Sequence, residues 1–295
     1  MNARHDAGQG RLEQGARPGG RSHGHEAEDS IDVFSAEAMR LVDQDAHRVY
    51  GLPALVLMEN AARELATCGV ELLEDLAGVT VDEHPPVVIY VGLGNNGADG
   101  FAAARHLHNA GAAVMVIKAA GAMSTEEGRI HQSAARAMGI PIIEAAEDGS
   151  LPVSTAGGKQ PGENSMLVID ALLGTGLTSA PRPGIAKLID RINRHRKSGS
   201  IILSADIPSG MVADTGQTPG PCVQADATLT FGGLKLAFLS LEAQPFLGNI
   251  AIGDIGVPRE LLGAHARRMG KPAHFESLDS EPPPLDDHGV HPGPA

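Results

Sequence analysis

The chain has 295 residues, 42% of them apolar, with 23 Lys and Arg against 36 Asp and Glu, for a net charge of −13. That balance argues against a dedicated binder of nucleic acid or anionic membranes, because neutralising phosphates needs a basic face. Trp is absent and aromatics make up only 3%, which disfavours platforms on which bases stack.

Residues 1–30 are polar, Gly-rich and charged, with no apolar stretch of the kind a signal peptide requires. They read as a disordered tail, because they cannot bury enough surface to offset the entropy of ordering. Ser35 is placed to cap a helix running to about Tyr50, and a second helix is expected from Ala54 to about Leu76. Short β-branched runs at Val87–Val91, Val114–Lys118, Met166–Asp170, Ile201–Ser204, Thr228–Phe231 and Ile250–Ile255 read as buried strands. Helices are expected between several of them, at about Gly100–Ala110, Glu126–Met138 and Ile185–His195. In the last of these, Ile185, Leu188, Ile189 and Ile192 make one apolar face. Residues 79–86 and 147–165 read as surface loops. From 270 to 295 the chain is Pro-rich and acidic, a second disordered tail. Its His288 and His291, like the HGH at 23–25, read as solvated residues.

Strands alternating with helices predict a three-layer α/β/α Rossmann-like sandwich on a mostly parallel sheet, occupying about residues 31–265. No apolar run approaches the roughly 20 residues of a membrane span. Cys68 and Cys222 are the only cysteines, too few for a disulfide framework or a Cys-rich zinc site. A soluble cytoplasmic protein is the expectation.

The strongest local signal follows the strand at 87–91. Gly92-Leu93-Gly94-Asn95-Asn96-Gly97-Ala98-Asp99-Gly100 leads from an apolar strand toward a helix rich in small residues. Glycines there permit tight turns and close ligand approach, and a helix N-terminus seats a phosphate. The string satisfies the dinucleotide GxGxxG pattern, but Asn95, Asn96 and Asp99 add polar groups beyond a phosphate cradle. No acidic residue stands at the end of the next strand, which closes in Lys118, so an ordinary NAD-dependent oxidoreductase is disfavoured. A purely structural turn remains an alternative for this loop alone.

Two later strands end similarly. Asp170 precedes Gly174-Thr175-Gly176-Leu177, and Asp206 precedes Ile207-Pro208-Ser209-Gly210. If the strands are parallel, Asn96, Asp170, Asp206 and Ser209 share one sheet edge, and such an oxygen set suits a hard cation. Either Asp alone could be a turn or cap residue; the repetition favours a site. Lys235, after the Gly232-Gly233 bend, reads equally as a ligand contact or a solvated side chain. His106 and His108 read as surface residues, and Cys222 as an inert thiol.

Together these segments resemble the NAD(P)H-hydrate epimerase family, also called the YjeF N-terminal domain. The match runs through Ser35–Arg40, Tyr50–Pro53, Leu57–Ala62, Gly92–Gly100, Asp170–Leu177, Asp206–Gly210, Ala213–Gly216, Thr230–Leu236 and Gly253–Pro258. The resemblance implies an isomerase that interconverts the R and S forms of hydrated NADH and NADPH in cofactor repair. It implies that Asn95, Asn96, Gly97, Ala98 and Asp99 bind the nucleotide, with a second loop of Gly174, Thr175, Gly176, Leu177, Thr178, Ser179 and Ala180. The resemblance also implies that Asp206 contacts the substrate and that Asn96, Asp170 and Ser209 hold a potassium ion; its place at a strand end beside these loops assigns Asp206 as the acid/base. One position departs from the family pattern: Ala98 stands where a second glycine is usual, and its methyl would crowd phosphates if that position needed positive φ. A separate dehydratase is the expected pathway partner, and helices in the 35–76 region offer a surface for a homodimer. The alternative is a non-catalytic nucleotide-binding or scaffolding module on the same fold.

Overall fold

The computed structural model describes residues 30–152 and 161–270. The tails expected within 1–30 and 270–295 lie outside it, apart from Ser30 and Gly270, as does the middle of the 147–165 loop. The chain opens with β1 (Ser30–Phe34), α1 (Ala36–Tyr50) and α2 (Ala54–Ala77). Then follow β2 (Pro86–Val91), α3 (Asn95–Ala110), β3 (Ala113–Lys118), α4 (Glu126–Ala137), β4 (Ile142–Glu144) and β5 (Leu167–Ala171). Next come α5 (Pro183–Lys197), β6 (Ile201–Ala205), β7 (Ala227–Phe231), β8 (Leu234–Lys235) and α6 (Gln244–Leu247). The described chain closes with β9 (Asn249–Gly253), α7 (Arg259–His265) and β10 (Arg267–Gly270).

Seven strands form a parallel sheet in the order β4-β3-β2-β5-β6-β7-β9. The direction of winding reverses between β2 and β5, where a doubly wound sheet opens a crevice at its carboxyl edge. Strand residues alternate between two cores. Val87, Ile89 and Val91 pack with α2 and α3, whereas Val88 and Tyr90 pack with Leu188, Ile189 and Ile192 of α5. Both faces are covered, which is why these strands read as continuous apolar runs. A second sheet, β10-β1-β8, pairs Ser30 with Gly270 and Phe34 with Lys235. Among the described residues, no helix is long and apolar enough to cross a membrane.

Three expectations need correction. The glycine loop is shorter than the sequence suggested, for α3 begins at Asn95 rather than Gly100. Glycine is a poor helix former, but close packing overrides propensity here. A Cβ on Gly97 would lie 2.1 Å from the Gly92 carbonyl oxygen, and one on Gly100 would lie 2.7 Å from the Ala171 methyl. The strand expected over Ile250–Ile255 ends earlier, at Gly253. The strands β4, β8 and β10 went unrecognised because they have too few residues for a readable period, and β1 because Asp32 interrupts its apolar run.

The β2–β5 crossing fixes the loop geometry. The Gly92 N–H donates to Ala171 C=O at 2.9 Å, and a Cβ on Gly92 would stand 1.8 Å from the Leu172 carbonyl oxygen. Gly92→Ala is expected to destabilise the protein by about 3 kcal/mol or more, as that clash is with backbone. Gly94→Ala meets no atom within 4 Å and is expected to cost about 1 kcal/mol or less through the poorer N-cap. Chemical denaturation of the two variants checks the contrast.

Candidate active site

The carboxyl edge of the sheet opens into a cavity of about 1410 Å³. Two helix N-termini face it. α3 starts after Gly94, which has no side chain to cap it, and α5 starts after Arg182, also without a side-chain cap. Their first-turn N–H groups lack intrahelical acceptors, so each end attracts anionic oxygen. Between them runs the loop Gly174–Ala180, every residue of which lines the cavity. The opposite rim is the β3–α4 loop. It is held by buried Lys118, whose ammonium donates to Ala119 C=O at 2.9 Å and to Gly121 C=O, and pairs with Glu144 at 3.2 Å.

Asn95, Asn96, Asp99 and Asp206 line this cavity, whereas Gly97, Ala98, Asp170 and Ser209 lie behind its wall. Ala98 is fully buried inside the helix, and its methyl lies on the side of α4's Gly128. Positive φ is not required there, so the extra methyl does not crowd the cavity.

From the cavity wall inward, four residues form a hydrogen-bonded chain, Asn96 and Leu173 lining the cavity and Ser209 and Asp170 lying behind it. Asn96 Nδ2 donates to Leu173 C=O at 2.9 Å, and Leu173 N–H donates to Ser209 Oγ at 2.8 Å. Ser209 Oγ donates to Asp170 at 2.6 Å, and the Ser209 N–H adds a second bond at 2.8 Å. Asp170 is fully buried beside Tyr90 and Ser204, its sheet-register neighbours. Burial holds its carboxyl above the usual range, although the donors from Ser209, Leu172 and Ser204 act against that. Asn96 Oδ1 is buried and has no hydrogen-bond partner. An orphan carbonyl oxygen on a polar chain that leads to a buried carboxyl is a set that a hard cation would complete.

Asp206 terminates β6 in an uncommon conformation. Its φ is +66°, and Ile207 N–H donates back to Ala205 C=O at 2.8 Å, closing a γ-turn centred on it. Such backbone is strained for most side chains, and Asp tolerates it better than most. The carboxylate is anchored: Oδ1 lies 2.7 Å from Lys235 Nζ and accepts from Phe231 N–H at 3.2 Å. Lys235 is therefore not a solvated side chain. It is 1% exposed and also donates to Thr230 Oγ1, Phe231 C=O and Gly233 C=O.

The sequence reading passed over Asp43 on α1, which also lines the cavity. Its signal was a charge on the α1 face that otherwise buries Met39, Val42 and Ala46. Burial and then the Asp206 charge push its carboxyl up to about 6, with Lys235 acting against them. Burial, followed by the charges of Asp206 and Asp43, pushes Asp99 well above the usual carboxylate range.

The reading of His106 shifts, while that of Cys222 as an inert thiol stands. His106 is half-buried and pairs with Glu59 at 2.9 Å rather than lying free on the surface. Burial raises the Cys222 thiol, and raises Cys68 to about 11, so neither is poised as a nucleophile.

Comparisons with known proteins agree with one another. Residues 54–237 match the family described as "YjeF-related protein N-terminus". An NAD(P)H-hydrate epimerase of Rhodopirellula baltica is 38% identical over 79% of this chain and 87% of that protein. One from Pirellula staleyi is 36% identical over 78% of this chain and 95% of that protein. A bifunctional NAD(P)H-hydrate repair enzyme Nnr of Thermofilum pendens is 37% identical over 79% of this chain but only 41% of its own length. The crystal structure of the yeast protein ynu0 superposes with a TM-score of 0.66 at 18% identity, covering 80% of this chain and 93% of that one.

The raised carboxyls set a direction for stability against pH. Folded Asp43 and Asp99 bind a proton more tightly than the unfolded chain does, so their contribution is fully present below about pH 4. It falls as pH rises through the raised values, about 6 for Asp43. Asp99→Asn is expected to raise the Tm of the ligand-free protein above pH 7 and to flatten its decline with pH. Scanning calorimetry of variant and wild type across pH 4–8 measures this.

Proposed function

The chain belongs to the YjeF-related N-terminal family, and we propose that it interconverts the R and S forms of hydrated NADH and NADPH. One observation carries the reading: an anchored carboxylate, Asp206, opens onto the same cavity as two uncapped helix N-termini. The helix ends suit a diphosphate, and the carboxylate suits chemistry on the ring at the other end of the nucleotide. The cavity is large enough for a ligand of that size.

The substrate carries a hydroxyl on the carbon beside the ring nitrogen. The nitrogen lone pair expels that hydroxyl once an acid protonates it, leaving a planar iminium. Water adding to the opposite face inverts the centre, and a base takes its extra proton. Asp206 carries out proton transfer in this scheme, with Lys235 and Phe231 N–H fixing its direction. The α3 and α5 ends, Asn95 and the Gly174–Ala180 loop hold the nucleotide, while Gly97 and Ala98 shape the α3 end from behind. Asn96, Asp170 and Ser209 would hold potassium, which supplies positive charge behind the phosphate-facing loop and locks its position. A cation there would also offset the cost of burying Asp170.

The relatives named as bifunctional repair enzymes support a dehydratase as the pathway partner. Two free cysteines support a reducing compartment, and we place the reaction in the cytoplasm. A homodimer through α1 and α2 would cover exposed Val49, Tyr50 and Val56.

Incubating the protein with the purified R hydrate of NADPH should yield the S form, followed by chromatography. Asp206→Asn is the informative variant, because Asn also tolerates the left-handed backbone. It should lower kcat by about 10²–10⁴-fold while nucleotide binding persists. Full turnover in that variant would refute the assignment. For the cation, potassium chloride should raise Tm where tetramethylammonium chloride does not, and Asn96→Ala should abolish the difference.

A further inference from the structure

Asp43 has no role in the scheme above, yet it is well placed for one. Met39 and Asp43 stand four residues apart on α1, so they share a face. The Met39 Cε would lie 3.0 Å from a Cβ on Gly232, which puts that face against the bend carrying Lys235. Asp43 therefore meets the Asp206–Lys235 pair from the α1 side of the cavity, and all three line it. Asp43 lines the cavity and is exposed to solvent there, so its carboxyl can exchange protons with water between turnovers.

The neighbouring charges are otherwise engaged. On α1, Glu37 pairs with Arg40, and Asp45 pairs with Arg48 and with His265 of α7. On β1, Asp32 faces Arg268 of β10. From the sheet edge and α3, the groups acting on Asp43 and its neighbours are Asp206, Lys235 and Asp99. Asp43 makes no hydrogen bond or ion pair among the described residues, so its carboxyl is free to turn toward a ligand.

We propose that Asp43 is the second proton-handling carboxyl of the epimerisation, serving the ring face opposite the one served by Asp206. The proposal rests on the function inferred above. Epimerisation needs proton chemistry on both faces of one planar ring. Asp206 is anchored by Lys235 and Phe231 N–H in a tight turn, which fixes the side from which it meets a bound ring.

In the forward direction one carboxylic acid gives its proton to the hydroxyl. The carbon–oxygen bond breaks, water departs, and the nitrogen lone pair becomes the second bond of the iminium. A new water adds from the other face, its proton passes to the other carboxylate, and the iminium electrons return to nitrogen. The net change is inversion plus one proton moved from one carboxyl to the other, and the reverse reaction moves it back. Asp99 is unsuited to this exchange. It is 9% exposed in the first turns of α3, where both neighbouring carboxylates favour its neutral form.

The test uses substrate carrying ¹⁸O in the ring hydroxyl, prepared separately as pure R and pure S hydrate. Inversion and loss of label to solvent are both measured on the full chain. With wild type, inversion accompanies label loss from either epimer. Asp43→Asn should lower inversion about 100-fold or more. From one epimer only, it should still release label and return substrate of unchanged configuration, because Asp206 can expel and re-add water on its own face. Asp206→Asn should show the same behaviour with the other epimer, and Asp43→Glu should restore part of the inversion. The proposal is overturned if Asp43→Asn inverts at the wild-type rate. It is equally overturned if that variant, folded by circular dichroism, loses label release from both epimers alike. If wild type neither inverts nor releases label, the reading of the function itself fails.

Discussion

The cavity depends on two backbone segments touching where no side chain can fit. Gly92 leaves β2 against the Leu172 carbonyl that leaves β5, at the point where the sheet reverses its winding. That contact lets α3 begin at once, with Gly97 and Gly100 against the strand ends. A Cβ at any of these positions would push the helix outward and carry its uncapped N-terminus away from the Gly174–Ala180 loop. The parallel sheet supplies the second half of the constraint. With every strand pointing the same way, the turns after β2, β5 and β6 must emerge on one edge.

A second constraint is electrostatic. Lys235 is buried and held by three oxygens besides Asp206, so its charge is fixed in a place of low polarisability. It offsets only part of the negative charge gathered around it. Burial first, and then that residual negative charge, make Asp43 and Asp99 hold their protons more tightly than ordinary carboxylic acids. Several carboxyls around one cavity provide the groups that proton exchange on a bound ligand requires. The strained turn at Asp206 has a comparable logic. The backbone departs from an ordinary strand end so that the carboxylate can be held by Lys235 and Phe231 N–H together.

The polar chain runs from Asn96 and Leu173 in the cavity wall back to Ser209 and Asp170, which do not line it. Its members come from α3, the β5–α5 loop, the turn after β6 and β5 itself. It couples the loops that face the nucleotide to the floor of the sheet. The orphan oxygen of Asn96 marks where that network is incomplete within the protein alone.

Much of this was legible in the amino-acid order. Apolar β-branched runs and the turns after them determined the parallel α/β architecture, because strands buried on both faces leave an unmistakable pattern. Gly92, Asp170 and Asp206 stood out because each interrupts the chain just where a strand ends. The start of α3 was misread because packing, not propensity, decides that Gly97 and Gly100 are helical. Asp43 and the burial of Lys235 were invisible for a related reason: a charge on one helix acquires meaning only from groups nearly two hundred residues away. Local order determined which elements form and where their turns fall. Only the tertiary structure decided which carboxyls share a cavity, since proton affinity and cation binding depend on distance and burial, and neither is written along the chain.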